Sequence, residues 1–172
     1  MTEKMSREVT GRRGALWAIT AGGLSAGVLD LLVACIQLGW DTPLLIAEGV
    51  LGPRAQHGGA GTWLLGVLLH FFIAFSVTAV YYAISRKLVL LITHPVLCGL
   101  FYGAAITWVM DAIVIPFSRI HAPGFDNYHD LLQGMFPHMV LVGLPVAFSV
   151  QRFGEPKRIL VVRPDEIADE RS

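Results

Sequence analysis

Four ionisable side chains stand alone inside long apolar stretches: Asp30, His70, Asp111 and His138. A carboxylate near the middle of a membrane span costs on the order of 2.5 to 3.5 kcal/mol on insertion scales, so each needs a partner. Carboxylate and imidazole together offer several kinds of chemistry. Two His and two Asp make four ligands for a divalent metal ion such as Zn, Mn, Fe or Ni. The same groups are the usual means of passing protons inside a membrane. They also hydrogen-bond across helices and hold register, contributing about 1 to 2 kcal/mol each. A further use, two axial histidines for a haem b in a helical bundle, sits poorly with two carboxylates in the same layer.

The elements that must position these groups are membrane helices. The chain is 54% hydrophobic and 15% charged with a mean hydropathy of +0.60, the composition of an integral membrane protein. Four apolar runs, 15–38, 61–84, 95–118 and 130–150, each reach the roughly 20 residues that fill a bilayer core of about 30 Å. The net charge is zero, so nothing suggests a nucleic-acid partner and none is expected. Cys35 and Cys98 both fall within apolar runs and read as packing residues. No enzyme is expected: the chain has no H-E-x-x-H, no C-x-x-C, no Gly-rich phosphate loop and no Ser nucleophile in a recognisable setting.

The expected organisation is a cytoplasmic N-tail over 1–14, a four-span membrane domain over 15–150 and a cytoplasmic C-tail over 151–172. Between the first two spans, 43–51 forms a short helix, interfacial or re-entrant. Thr42 is expected as its cap, Pro43 in its first turn and Gly52-Pro53 as its stop. Lys and Arg number eleven in the two tails and the Arg86-Lys87 turn against two, Arg54 and Arg119, in the opposite loops. The positive-inside rule then puts both termini in the cytoplasm. Arg12-Arg13 and Leu32 to Cys35 superficially resemble export and lipoprotein signals, but Asp30 would then lie in the signal's apolar region.

The spans repeat a pattern. Gly22 precedes Asp30 by eight residues and Gly103 precedes Asp111 by eight; Gly66 precedes His70 by four and Gly134 precedes His138 by four. This spacing predicts an all-α, four-helix transmembrane bundle made of two repeated helical hairpins. At 1.5 Å per residue the four ionisable groups share one layer, about 10 to 14 Å below the outer helix ends. Gly23, Gly27, Asp30, Ala34 and Gln37 fall on one stripe, Gly66, His70, Ala74 and Tyr81 on another, and Gly99, Gly103, Thr107 and Asp111 on a third. Gly23, Gly27, Gly66, Gly99, Gly103 and Gly134 are the expected helix-packing residues.

Accessory groups follow from the same reading. Pro137 leaves the carbonyl of Gln133 without its helical donor and predicts a kink just before His138, whereas Pro145 reads as merely tolerated. Gln37, Glu48 and Tyr81 are further candidates for the site, and His57, His121, Asp126, His129 and Asp130 for a cation-gathering mouth. The expected partner is the lipid bilayer. Four spans are few for a transporter, so transport calls for a homo-oligomer.

Gly-x-Leu-Asp at Gly27 to Asp30, Glu48-Gly-Val-Leu-Gly52, Leu69-His-Phe-Phe-Ile-Ala74 and His94-Pro-Val-x-x-Gly99-x-x-Tyr-Gly103 together resemble a group of uncharacterised small four-span bacterial inner-membrane proteins. The resemblance covers about 15–153. It implies four spans in a bacterial plasma membrane and assigns no activity. The function expected from the residues themselves is cation binding, of a proton or a divalent metal, in a small transport or sensing component. The competing expectation is a structural or interaction protein whose Asp/His cluster only holds the helices together.

Overall fold

A computed structural model describes residues 2–120 and 128–154 of the chain; the side chains of 2–12, 128–131 and 133 lie outside it. The described residues form helices and no strands. Four helical segments are long and apolar enough to cross a membrane: Arg13–Leu38, Ala60–Ser85, Pro95–Phe117 and Gly134–Phe153. In a bilayer every backbone N–H and C=O must find a partner within the protein, which a continuous helix provides.

The first, α1 (Thr2–Leu38), runs without a break through the boundary expected at residue 14. It ends where Gly39 takes a φ of 97°, a left-handed value that suits glycine. Helix α2 (Thr42–Leu51) follows, with Pro43 in its first turn and Gly52, at φ 78°, ending it. Asp41, not Thr42, holds the N-cap position, and no side chain caps the helix. Thr42 instead donates its hydroxyl to the Gly39 carbonyl at 2.6 Å and lies 3.3 Å from that of Ala34. It thereby ties α2 to the end of α1. After a 3-10 turn, Pro53–His57, comes α3 (Ala60–Ser85), then a one-turn helix α4 (Leu90–Thr93).

The third span has three parts: α5 (Pro95–Val109), a π-helical turn (Met110–Val114) and α6 (Ile115–Phe117). The fourth is built likewise, from α7 (Tyr128–Pro137), a π-helical turn (His138–Gly143) and α8 (Leu144–Phe153). In the first π-turn the Ile115 N–H reaches back five residues to the Met110 carbonyl. Each wide turn abuts proline. Pro116 cannot donate to Ala112, nor Pro145 to Leu141, and both carbonyls lie inside the π-turns. A proline ring crowds the carbonyl four residues back, and a widened turn moves it aside. Pro145 therefore does more than sit tolerated in its helix, and the kink expected before His138 is a wide turn that begins at it.

Helix α1 packs against α8 and α3, α5 against α8 and the second π-turn, and α2 against α3. Spans two and three are not closely packed; Tyr102 bridges them, donating its hydroxyl to the Val77 carbonyl at 2.6 Å. The half of the bundle remote from α2 is solid. Its core is Ala18, Tyr81, Val146, Ala147 and Val150, all fully buried. Tyr81 stacks edge-on against Tyr102 at 4.9 Å and donates to the Leu91 carbonyl at 3.0 Å. Close helix approach rests on glycine. A Cβ at Gly66 would meet the Pro43 carbonyl, one at Gly103 the backbone of His138 and Met139, and one at Gly23 or Gly27 the rings of Phe75 or Phe71. Gly99 faces Gly143 in the same way, whereas Gly134 faces nothing within 4 Å. Leu64, Leu68 and Phe72 on α3, with Phe101 and Trp108 on α5, are exposed, as lipid-facing side chains are.

Candidate functional site

Toward α2 the bundle is hollow. A chamber of about 320 Å³ is lined by Asp30 from α1, His70 from α3, Asp111 from the first π-turn and His138 from the second. Ala34, Ile73, Met110 and Val142 supply apolar walls, and Thr42 and Ile46 of α2 close in at one end. The structure thus brings all four lone ionisable residues to one cavity. Two of them sit on the π-turns, where a helix carries one extra residue per turn and turns a side chain it would otherwise place elsewhere.

The hydrogen bonds give the two histidines different parts. His70 Nε2 lies 2.9 Å from the carbonyl oxygen of Gly27. A carbonyl only accepts, so Nε2 carries the proton and donates across from α3 to α1. The same nitrogen is 4.0 Å from Asp30 Oδ2. His138 Nδ1 lies 2.7 Å from the carbonyl of Gly134, one turn back on its own helix, and so donates there. Its Nε2 faces Asp30 Oδ1 at 3.9 Å. In a neutral imidazole that nitrogen is a bare lone pair, directed at a carboxylate oxygen. Two acceptors face each other across a gap too wide for a direct hydrogen bond. Asp111 makes no hydrogen bond or ion pair with a described residue, and its electrostatic neighbour is His138.

The remaining expected residues lie elsewhere. Tyr81 is in the solid half of the bundle. Glu48 is buried on α2, accepting a hydrogen bond from Gln56 Nε2 at 2.6 Å, and does not line the chamber. Gln37 is exposed near the end of α1. The side chains of His129, Asp130 and Gln133 on α7, and the loop residues His121 and Asp126, fall outside the described residues. Sequence reasoning missed Thr42 and Met110 as chamber residues; the one signal for Met110 was its place beside Asp111.

Metal and haem fit this geometry poorly. Among the described residues no three His, Cys, Asp or Glu side chains gather as around a metal ion. Tetrahedral ligands about 2.0 to 2.2 Å from Zn stand about 3.3 Å apart, shorter than the 3.9 and 4.0 Å found here. The His70 nitrogen nearest Asp30 is also committed to Gly27. A porphyrin between the two imidazoles would have to displace the Asp30 carboxylate, which lies within 4.0 Å of both.

Together the fold and the chamber define a helical protein of the multi-pass membrane class, with four apolar helices around a carboxylate-imidazole cavity. No family model, no curated protein and no solved structure matches the chain.

Proposed function

We propose that this is an integral membrane protein that binds a cation, a proton, between His138 and Asp30, as a small transport or sensing component. One observation carries the reading: His138 spends its Nδ1 proton on Gly134 and turns its basic Nε2 to Asp30 at 3.9 Å. Such a pair of acceptors is stable when a proton sits on one of them or a water donates between them. Asp111 is the second acceptor within electrostatic reach, so a proton on His138 has carboxylates from two spans beside it. Of the cations considered, the proton needs no ligand set of three, and it is the one this donor arrangement suits.

His70 has a different part, in which the structural alternative survives. Its bond to the Gly27 carbonyl joins α3 to α1 and fixes their register. The location we propose is a bacterial inner membrane with both termini cytoplasmic, supported by the eleven-to-two bias of Lys and Arg. Support for two repeated hairpins is the matched spacing of glycine and ionisable residues, and a re-entrant role for α2 rests on its place at the chamber's end.

Infrared difference spectroscopy of the reconstituted chain during pH steps tests the proposal. A carboxyl protonation band is expected, absent in Asp30→Asn and shifted in its midpoint in His138→Gln. A wild-type spectrum in which neither variant removes or moves a carboxyl signal overturns it.

A further inference from the structure

Spans two and three leave a second cavity between them, an apolar groove of about 320 Å³ that faces outward from the bundle. Ser76, Val80, Ala105 and Val109 line it, and Ala105, Val80 and Val109 are exposed on the bundle surface. Ile73, Val77, Ile106 and Met110 line both this groove and the chamber. Those four side chains form the wall that the groove and the Asp/His cavity share. Met110 is an unbranched thioether at the first residue of the π-turn, and of the four it is the side chain best able to swing aside.

We infer that the groove admits, sideways from the bilayer, the chain of a membrane-dissolved amphiphile with a cationic amine head, which the head's ion pair with Asp111 holds in the chamber. The occupant follows from two ends of one space. The groove offers an apolar surface with almost no polar group, which suits a hydrocarbon chain. The chamber beyond it holds two carboxylates, and Asp111 has no hydrogen bond or ion pair with a described residue. A half-buried carboxylate with no hydrogen bond to a described residue draws a cation, and a head that donates hydrogen bonds satisfies its oxygens as a quaternary one does not. A neutral head lacks the ion pair, and an anionic head is repelled. Asp111 stands next to Met110, so the residue that would open the wall and the one that would receive the head share one wide turn. This step rests on the chamber, not on the protonation of His138.

The full chain in lipid nanodiscs, with stearylamine carrying a nitroxide on its chain, tests the inference by electron paramagnetic resonance. Stearyl alcohol with the same label is the neutral control. A motionally restricted component is expected for the amine at an affinity at least tenfold above that for the alcohol. Ala105→Trp, a change on the lipid-facing wall, is expected to remove it, and Asp111→Asn to reduce the amine to the level of the alcohol. Equal retention of amine and alcohol overturns the inference, as does undiminished amine binding in Ala105→Trp. The carboxyl infrared titration of the same wild-type preparation keeps the two readings apart. Amine retained without a titrating carboxyl would fail only the proton site, and a titrating carboxyl without amine retention only the lateral groove.

Discussion

His138 and Asp30 face each other across 3.9 Å, the imidazole on the fourth span and the carboxylate on the first, with the other imidazole nitrogen anchored to Gly134. His70 approaches the same carboxylate to 4.0 Å but gives its proton to Gly27. From this inequality of two histidines follows the most direct prediction. His70→Ala removes a bond between spans and is expected to lower stability by about 1 to 2 kcal/mol. His138→Ala removes a bond within one helix and is expected to change stability by less than half of that while shifting the midpoint of the carboxyl protonation signal. Unfolding in mixed detergent micelles, with the infrared titration run on each variant, separates the two effects.

Two glycines that look alike in the sequence are expected to behave oppositely. A Cβ at Gly103 would run into the backbone of His138 and Met139, so Gly103→Ala must push the third and fourth spans apart, at a cost of about 1 to 3 kcal/mol. Gly134 has open space around it, and Gly134→Ala gains helix propensity of up to about 1 kcal/mol. Unfolding midpoints of the two variants relative to wild type check both signs.

Glu48 is buried and held by Gln56. Gln56→Ala leaves its carboxylate without that donor, at a cost of about 1 to 3 kcal/mol concentrated in α2. Hydrogen exchange over Thr42–Leu51 is the measurement, and faster exchange there with α1 and α3 unchanged is the expected outcome. The Arg119 N–H, which donates to the Gly49 carbonyl at 2.9 Å, should lose protection with α2.

Elemental analysis of the purified protein bears on the metal reading. The donor geometry leads to the expectation of well under one equivalent of Zn, Mn, Ni or Fe, the same in wild type and in a His70→Ala/His138→Ala double variant. A stoichiometric metal lost in the double variant would show that the chamber rearranges around an ion.

The meeting of Asp30, His70, Asp111 and His138 was legible in the sequence because charge is so rare in these spans. Each stands alone in its apolar run, at a distance from the helix end that aligns it with the others. Helical spacing also found Gly66 and Gly103 as contact points. It could not distinguish Gly134, since a glycine's periodicity says nothing of what the neighbouring helix presents. Tyr81 lies on the same stripe as His70, but eleven residues further along it is in a different layer, where Val146 and Val150 fill the space. The π-turns were not legible. Pro116 and Pro145 marked where regular hydrogen bonding fails, but whether a helix kinks, breaks or widens depends on the helices packed against it. The division of labour between the histidines was hidden for a related reason: which nitrogen carries the proton is set by two backbone carbonyls, on Gly27 and Gly134, that no side-chain pattern reports.

The solid core around Tyr81, Val146 and Val150 makes the chamber a cul-de-sac. An aqueous pore would need both ends of the bundle hollow, and here α2 stands over one end while packed side chains stop the other. On the proposed reading, protons reach Asp30 from the α2 end of the bundle, and the packed end gives them no path. A proton site so placed would act as an electrode immersed in a single aqueous compartment, answering to the acidity of that side and insulated from the other.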